Sequence, residues 1–368
     1  MAKDKEYLQG LEVYIRQGEP QKQERGRAWQ TAIGLQEVDG LKTSSYLLDT
    51  ARKHIEGDIT IDEAKQLIDS YYKSQTGRRE MEDNRTEEAD KVSARITEML
   101  QEQTFNFSPA QYAAIHRRLF EGIFKFAGRI RDYNITKREW VLRGETVYYA
   151  SADTISETLE YDMRQEREFR YEGLSMDEAI KHLTHFCANL WQIHAFGEGN
   201  TRTTAVFMIK YLRTLGFKVT NDQFATHSWY FRNALVRANY SNLQDGVTET
   251  TIYLERFFRN MLLGETTQLR NRELHLDWNA SKEEQSEKTT FTSANFALGL
   301  PAKCKNCTLE EIAVLRVIQQ NPSAPQRFVS SEIGKSERTV KSITARLTEQ
   351  GIIRRSKGKG SPWEIIND

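Results

Sequence analysis

The feature that most constrains this chain is a polar stretch from His194 to Arg202 that lies between two apolar periodic segments. Apolar residues recur at helical spacing over residues 179–193, and they do so again over residues 205–212. The sequence therefore predicts a short polar loop that joins two largely buried helices. We expect the fold around it to be mainly α-helical.

The residue types in this loop suit phosphate chemistry. Gly199 lets the backbone approach a ligand closely, and the N–H groups that open the following helix attract anions. Arg202 can bind phosphate oxygens with its planar guanidinium, and Glu198 offers the hard oxygen ligand that Mg²⁺ prefers. His194 can act as a general base near neutral pH. A polar interhelical loop with a hydrogen-bonded histidine is also compatible with the spacing alone.

The stretch His-Ala-Phe-Gly-Glu-Gly-Asn-Thr-Arg resembles the signature H-x-F-x-[DE]-G-N-x-R of Fic domains, the family named for filamentation induced by cyclic AMP. The residues that match are His194, Phe196, Glu198, Gly199, Asn200 and Arg202. The resemblance implies a Fic-type helical bundle with a β-hairpin flap. It also implies a protein adenylyltransferase, which moves AMP from ATP to a Ser, Thr or Tyr hydroxyl of a protein, itself included.

The resemblance also assigns roles to residues. It implies that His194 takes the hydroxyl proton and that Glu198 binds Mg²⁺. The residues that it implies for binding the phosphates of ATP are Gly199, Asn200, Thr201 and Arg202. Further along the chain, the family contacts adenine and ribose near the positions of Tyr230 and Asn233. A purely structural aromatic core around those two positions fits their sequence as well.

The match is incomplete at three positions. The commonest family form has Pro, Gly and a second Arg where this chain has Ala195, Thr201 and Ala205. In the family that second Arg contacts the terminal phosphate, so Ala205 favours weak activity. The alternative function is a DNA-binding regulator whose Fic domain senses nucleotide without efficient catalysis.

Residues 1–105 are predicted to form a helical extension. One of its helices ends at Glu56-Gly57, which resembles the end of the family's inhibitory helix, [ST]-x-x-x-E-[GN], although Arg52 replaces the Ser or Thr. We hypothesise that Glu56 faces the phosphate pocket, paired with Arg52 one helical turn earlier. A structural helix ended by a glycine cap is equally compatible. The charge-dense residues 77–91 predict a solvated connection.

Residues 133–149 predict a β-hairpin around Gly144, because β-branched and aromatic residues lie on either side of a glycine turn. An open hairpin edge can recruit an extended segment, so we expect the protein substrate to bind there as an added strand. The resemblance places a flap at this position. A packed structural hairpin is the alternative.

The C-terminal part predicts a second domain. Residues 266–307 are predicted to be a linker after the Fic core of residues 106–265. Residues 308–368 show three helical segments and then two short apolar runs, the order of a winged helix-turn-helix. Its basic residues favour DNA contact, with a protein-binding winged helix as the alternative; they are Arg338, Lys341, Arg346, Arg354, Arg355, Lys357 and Lys359.

The overall composition adds little to these assignments. Lys plus Arg and Asp plus Glu are both 52 among 368 residues, so net charge indicates no partner. The chain opens without an apolar segment and has no run of membrane-spanning length, so we expect a cytoplasmic protein without a membrane partner. The oligomeric state is left open, a homodimer included.

Overall fold

The computed structural model describes residues 11–12, 19–74, 81–217, 219, 222–278, 307–355 and 362–366. Within these ranges the chain forms thirteen α-helices and one antiparallel pair of short strands, which confirms the predicted mainly helical class. None of the helices in this part of the chain has the length and apolar character needed to cross a membrane.

Four helices form the N-terminal extension: α1 Pro20–Gly34, α2 Ser45–Glu56, α3 Ile61–Ser74 and α4 Met81–Gln101. Six helices form the core around the polar loop: α5 Pro109–Phe120, α6 Ile155–Glu168, α7 Met176–Ile193, α8 Asn200–Thr214, α9 Asp222–Ala238 and α10 Ile252–Leu263. The predicted loop therefore lies between α7 and α8. A capping box between Ser175 and Glu178 fixes the start of α7.

Helix α1 is shared between two hydrophobic cores. Trp29 and Ile33 pack into a small core with α2 and α3, whereas Ala28 and Ala32 pack into the large core of the domain. At Gly34, an added Cβ would lie 2.3 Å from the backbone oxygen of Ala225, so only glycine allows α1 to approach α9 this closely. The extension is therefore an integral layer of the fold, and it carries the 3₁₀ turn Leu35–Asp39 to the side of α8.

The prediction of a solvated connection over residues 77–91 is wrong from Met81 onward, where α4 begins. Charged residues there form pairs along and between helices, such as Lys91 with Glu87 at 2.9 Å and with Asp69 at 3.0 Å. An apolar face is present as well, since Ala89 and Val92 are fully buried. The high density of charged residues therefore led to the wrong prediction for what is a half-buried helix.

The prediction of β-strands in residues 133–149 is also wrong, because this described segment is a loop. It reverses at the 3₁₀ turn Trp140–Leu142. The backbone of Glu139 closes the turn, since its N–H donates to Glu145 (2.9 Å) and its carbonyl accepts from Gly144 (3.0 Å). Val141 and Leu142 point into the core, so tertiary packing overrides the local strand propensity. We call residues 133–149 the flap loop.

The C-terminal domain contains α11 Leu309–Gln320, α12 Gln326–Ile333, α13 Glu337–Glu349, β1 Ile353–Arg355 and β2 Trp363–Ile365. The two strands pair antiparallel with Ile353 opposite Ile365. This order confirms the predicted winged helix. It contacts the core through a β-bridge between Ser175 and Thr308. Lys357 and Lys359 of the predicted wing lie outside the described residues, as does most of the predicted linker.

Candidate active site

His194 is the C-cap of α7 and has a backbone conformation that is unusual for a residue other than glycine. Its φ of 49° and ψ of 56° lie in the left-handed region. This conformation ends the helix and turns the chain toward α8. The imidazole is buried against Tyr149, with ring centroids 4.1 Å apart, and against the edge of Trp191. Neither ring nitrogen has a hydrogen-bond partner among the described residues.

The surroundings of His194 keep its imidazole neutral. Burial lowers the pKa of His194 well below its usual value, and the positive charge of Lys137 lowers it further. Arg131 and Arg232 act in the same direction with smaller effects. A neutral imidazole with two unpartnered nitrogens can accept a proton from an incoming group.

The loop after His194 is held by its own side chains. Phe196 is fully buried and stacks on His116 with centroids 3.8 Å apart. The Asn200 side chain accepts from the Phe196 N–H (2.9 Å) and donates to the Phe196 carbonyl (2.7 Å). The Asn200 amide is thus occupied in closing the loop. What it can offer to a ligand is its backbone N–H.

His116, which the sequence did not single out, supports the same loop from α5. Its Nδ1 accepts the Gly128 N–H at 2.8 Å, so its Nε2 carries the proton and donates to the Glu198 carbonyl at 3.0 Å. Burial lowers the pKa of His116 to about 4. The ring therefore stays neutral and keeps this tautomer at ordinary pH.

Gly199 places the start of α8 close to α5. Its φ is 76°, and an added Cβ would lie 2.4 Å from the ring of Phe120, so both conformation and space require glycine here. Having no side chain, this N-cap leaves the first N–H groups of α8 for another acceptor. The hydroxyl of Thr201 accepts from the indole of Trp191 at 2.9 Å, so it is part of the core.

Arg202 is held by the N-terminal extension. Its side chain is 2% exposed, and its guanidinium donates to Glu88 Oε1 on α4 (2.6 Å) and to Gln36 Oε1 (3.0 Å). Its Nε lies 2.8 Å from Asp39 Oδ2, an ion pair without hydrogen-bond geometry. The group that was expected to bind phosphate is therefore surrounded by acceptors of this chain.

Glu198 is the exposed carboxylate of the loop, with 55% of its side chain accessible. Its Oε2 lies 2.8 Å from Nζ of Lys137 in the flap loop. In the described part of the chain, no group of three or more His, Cys, Asp or Glu side chains could hold a metal ion. A single accessible carboxylate nevertheless fits Mg²⁺, which commonly combines one or two carboxylates with substrate phosphates.

Tyr230 and Asn233 are fully buried on α9. Asn233 donates to Asn271 at 2.7 Å, while its Oδ1 and the Tyr230 hydroxyl have no hydrogen-bond partner among the described residues. No hydrogen bond in that part of the chain joins either residue to the loop at 194–202. Helix α9 is linked to His194 indirectly. Arg232 pairs with the buried Glu139, and Glu139 accepts a hydrogen bond from Tyr149, whose ring packs against His194.

The predicted pair between Arg52 and Glu56 is wrong. Arg52 pairs with Asp49, one turn earlier on α2, at 2.8 Å. Glu56 pairs with Lys22 of α1 at 2.8 Å, with 38% of its side chain exposed. Gly57 caps α2 with a φ of 92°. The carboxylate of Glu56 is therefore directed at α1.

Comparison with known proteins identifies the family of this core. Residues 106–212 match the model of the Fic/DOC family, and residues 311–354 match the model of a winged helix-turn-helix described as DNA-binding. Residues 106–212 form a Fic domain. The winged helix at the C-terminus is a second domain of known type.

Two curated proteins are similar to part of this chain. A probable protein adenylyltransferase, y4lH of Sinorhizobium fredii, is 27% identical over 146 residues, which are 39% of this chain and 71% of that protein. The protein adenylyltransferase VbhT of Bartonella schoenbuchensis is 25% identical over 109 residues, 30% of this chain and 22% of that protein. A crystal structure of a Fic family protein from Desulfovibrio desulfuricans G20 aligns with a TM-score of 0.44 and 13% identity, over 100% of this chain and 94% of that chain.

Several residues around the Fic motif were not found from the sequence. Arg131 and Lys137 act from the flap side, and Asp39 and Glu88 act from the extension. No local pattern marks them, because each contacts the motif across at least 61 residues of sequence. Ala205, where the family has its second Arg, is fully buried on α8.

Proposed function

We propose that this chain is a Fic-type protein adenylyltransferase that transfers AMP from ATP to a Ser, Thr or Tyr hydroxyl of a protein, itself included. The observation that carries the proposal is His194, a buried neutral imidazole with two unpartnered nitrogens directly before the N-terminus of α8. In this proposal residues 1–105 are a regulatory extension and 106–265 the catalytic core. Residues 266–307 link this core to a DNA-binding domain over 308–368.

The chemistry follows from the positions of these groups. The substrate hydroxyl donates a hydrogen bond to the His194 imidazole. As the hydroxyl oxygen bonds to the α-phosphorus of ATP, its proton passes to His194 and the bond from phosphorus to the pyrophosphate breaks. The N–H groups at the start of α8 bind phosphate oxygens. Such catalysis depends mainly on positioning and on fixed dipoles.

The remaining ligand contacts fit the same proposal. Glu198 would hold Mg²⁺, which supplies positive charge to the phosphates when bound; Lys137 contacts only Oε2 of this exposed carboxylate. The unpartnered Tyr230 hydroxyl and Asn233 carbonyl oxygen offer hydrogen bonds to adenine or ribose. The protein substrate docks beside the flap loop, where Tyr133, Trp140 and Tyr148 are 52%, 50% and 82% exposed.

The activity is restrained by the extension. Asp39 and Glu88 occupy the guanidinium of Arg202, and Ala205 removes the second phosphate-binding Arg of the family. In this proposal inhibition acts through these two carboxylates. Glu56, paired with Lys22, has no part in it.

The winged helix supports a second role in DNA binding. Arg338 and Lys341 are exposed on α13, the helix that such domains place in the major groove. The alternative for the whole chain is a DNA-binding regulator whose Fic domain senses nucleotide. The occupied Arg202 and Ala205 favour that alternative, whereas the prepared base favours the enzyme.

The test is incorporation of label from ATP carrying a labelled α-phosphate, with Mg²⁺ present. His194→Ala should reduce the rate about 10²–10⁴-fold, because a general base contributes that much, while ATP binding persists. His185→Ala is the matched control, since His185 is an exposed histidine on the same helix. ATP binding by the unaltered protein without any transfer of label would support the sensor instead.

A further inference from the structure

We propose that Arg131 is a positioning residue for the transfer reaction. It holds His194 and both ends of the flap loop in one fixed arrangement. The inference rests on the proposed role of His194 as the base. Arg131 is 4% exposed and lies between the end of α7 and the flap loop.

On the first side, Arg131 binds the C-terminal end of α7. Its Nε donates to the His194 carbonyl at 2.8 Å, and Nη2 donates to the Ile193 carbonyl at 3.3 Å. Its own backbone N–H donates to the Ala195 carbonyl at 2.9 Å. The last carbonyls of a helix lack intrahelical partners and carry partial negative charge, so a buried guanidinium both satisfies and stabilises them.

On the second side, the same guanidinium binds the first residue of the flap loop and the residue directly after its last. Nη1 donates to the Tyr133 carbonyl at 2.7 Å, and Nη2 donates to the Ala150 carbonyl at 2.6 Å. Three chain segments thus converge on one planar group. A lysine has donors on a single flexible ammonium and cannot reproduce this fork.

These bonds determine where the imidazole of His194 lies. His194 has a left-handed backbone, which a residue other than glycine keeps only when its surroundings enforce it. The direction of its carbonyl depends on its ψ, and Arg131 fixes that carbonyl and the next one. The flap loop in turn supplies Tyr149, whose ring packs against the imidazole. Losing Arg131 would therefore release the base and its support together.

The experiment compares Arg131→Ala, Arg131→Lys and Arg129→Ala in the full-length protein, with folding checked by circular dichroism. Arg129 is an exposed arginine two residues away, so its variant is the matched control. In both Arg131 variants, transfer at saturating ATP should fall about a hundredfold or more, because misplacing a catalytic group costs that much. The dissociation constant for ATP should stay within about twofold, as expected when only the transition state loses support.

Guanidinium ion provides a readout that general destabilisation would not produce. At millimolar concentrations it should restore part of the transfer activity of Arg131→Ala and leave Arg131→Lys unchanged, because the lysine fills the space. No restoration would overturn the proposal. An unaltered transfer rate in a folded Arg131→Lys variant would overturn the proposal as well. If Arg131→Ala does not fold, the rate of Arg131→Lys decides whether Arg131 has the positioning role.

Amide hydrogen exchange without nucleotide separates this inference from the proposed function. Amides of residues 133–150 and 194–195 should exchange faster in Arg131→Ala than in the parent protein or in Arg129→Ala. Equal exchange would refute the positioning role. If the parent protein transfers no label, the proposed function fails, and the exchange result alone decides whether Arg131 fixes these segments.

Discussion

Replacing Glu88 by glutamine should increase transfer activity while it lowers stability. Glu88 is the acceptor of the shortest hydrogen bond to Arg202, at 2.6 Å, and its side chain is 16% exposed. Glutamine has the same shape and can still accept one hydrogen bond, but it carries no charge. Arg202 would keep its contacts to Gln36 and Asp39, and the extension as a whole would hold it less tightly.

The magnitude follows from the type of bond. A hydrogen bond to a charged group contributes about 1.5–3 kcal/mol, and one between neutral partners contributes about 0.5–1.5 kcal/mol. The substitution therefore removes about 1 kcal/mol, or about fivefold in an equilibrium constant. The free energy of unfolding should fall by about that amount. The fraction of molecules with Arg202 available to phosphate should rise by the same factor.

The assay measures incorporation of label from ATP at concentrations below saturation, together with thermal melting. Glu88→Gln should label about fivefold faster and melt at a lower temperature. Glu87→Gln is the matched control, because Glu87 is the neighbouring residue on α4, is 17% exposed and pairs with Lys91. Glu56→Gly should also label at the parent rate, since Glu56 pairs with Lys22.

Unchanged or slower labelling by Glu88→Gln would show that Arg202 is a structural arginine and that the extension does not restrain the site through it. Faster labelling by Glu56→Gly would instead return the inhibitory role to Glu56. Because stability and labelling are expected to move in opposite directions, a general loss of structure cannot imitate the predicted result.

Two further predictions concern charges near His194 and on the winged helix. Lys137→Ala should raise the pKa of His194, because the ammonium disfavours the imidazolium. Since the proposed base acts when neutral, the acid limb of the pH profile of kcat/KM should move to higher pH. In the control variant Arg138→Ala this limb should stay in place. Arg131 and Arg232 keep their charges in both variants. In the winged helix, the full-length double variant Arg338→Ala, Lys341→Ala should bind duplex DNA with a weaker salt dependence. The slope of log K against log salt concentration should fall by about one unit for each phosphate that is no longer bound. Lys181→Ala is the control. Fluorescence anisotropy measures the slope, and absence of binding by the parent protein at about 50 mM salt would contradict the DNA role.

The parts of this site that could be predicted from the sequence are those whose determinants are local. The apolar period on either side of residues 194–202 predicts two helices and a loop, and the glycine at 199 predicts a positive φ. Both are properties of contiguous residues. The partners of Arg202 are different, because Glu88 and Gln36 lie 114 and 166 residues away in sequence. Unless the positions of these two partners are known, a paired arginine in a phosphate-binding motif cannot be distinguished from one that has no partner.

The two wrong predictions of secondary structure have a common physical cause. In residues 133–149 the strand-forming residues follow local propensity, but Val141 and Leu142 are buried by the tertiary fold and bend the chain. In residues 81–91 high charge suggested solvent, whereas neighbouring helices supply counter-charges for one face of α4. In both cases the environment decides, and the local sequence does not contain it.

The two halves of the site depend on different parts of the chain, and this limits how the activity can be controlled. His194, the proposed base, contacts Arg131 and Tyr149 on the flap side. In the proposed mechanism Arg202 binds phosphate, and its guanidinium is held by Asp39 and Glu88 of the extension while it lies over the ring of Phe120. The extension cannot leave as a unit, because α1 is buried in both cores and Gly34 packs against α9. Release of Arg202 therefore has to come from a local rearrangement of the turn Leu35–Asp39 and of Glu88, with the rest of the fold intact.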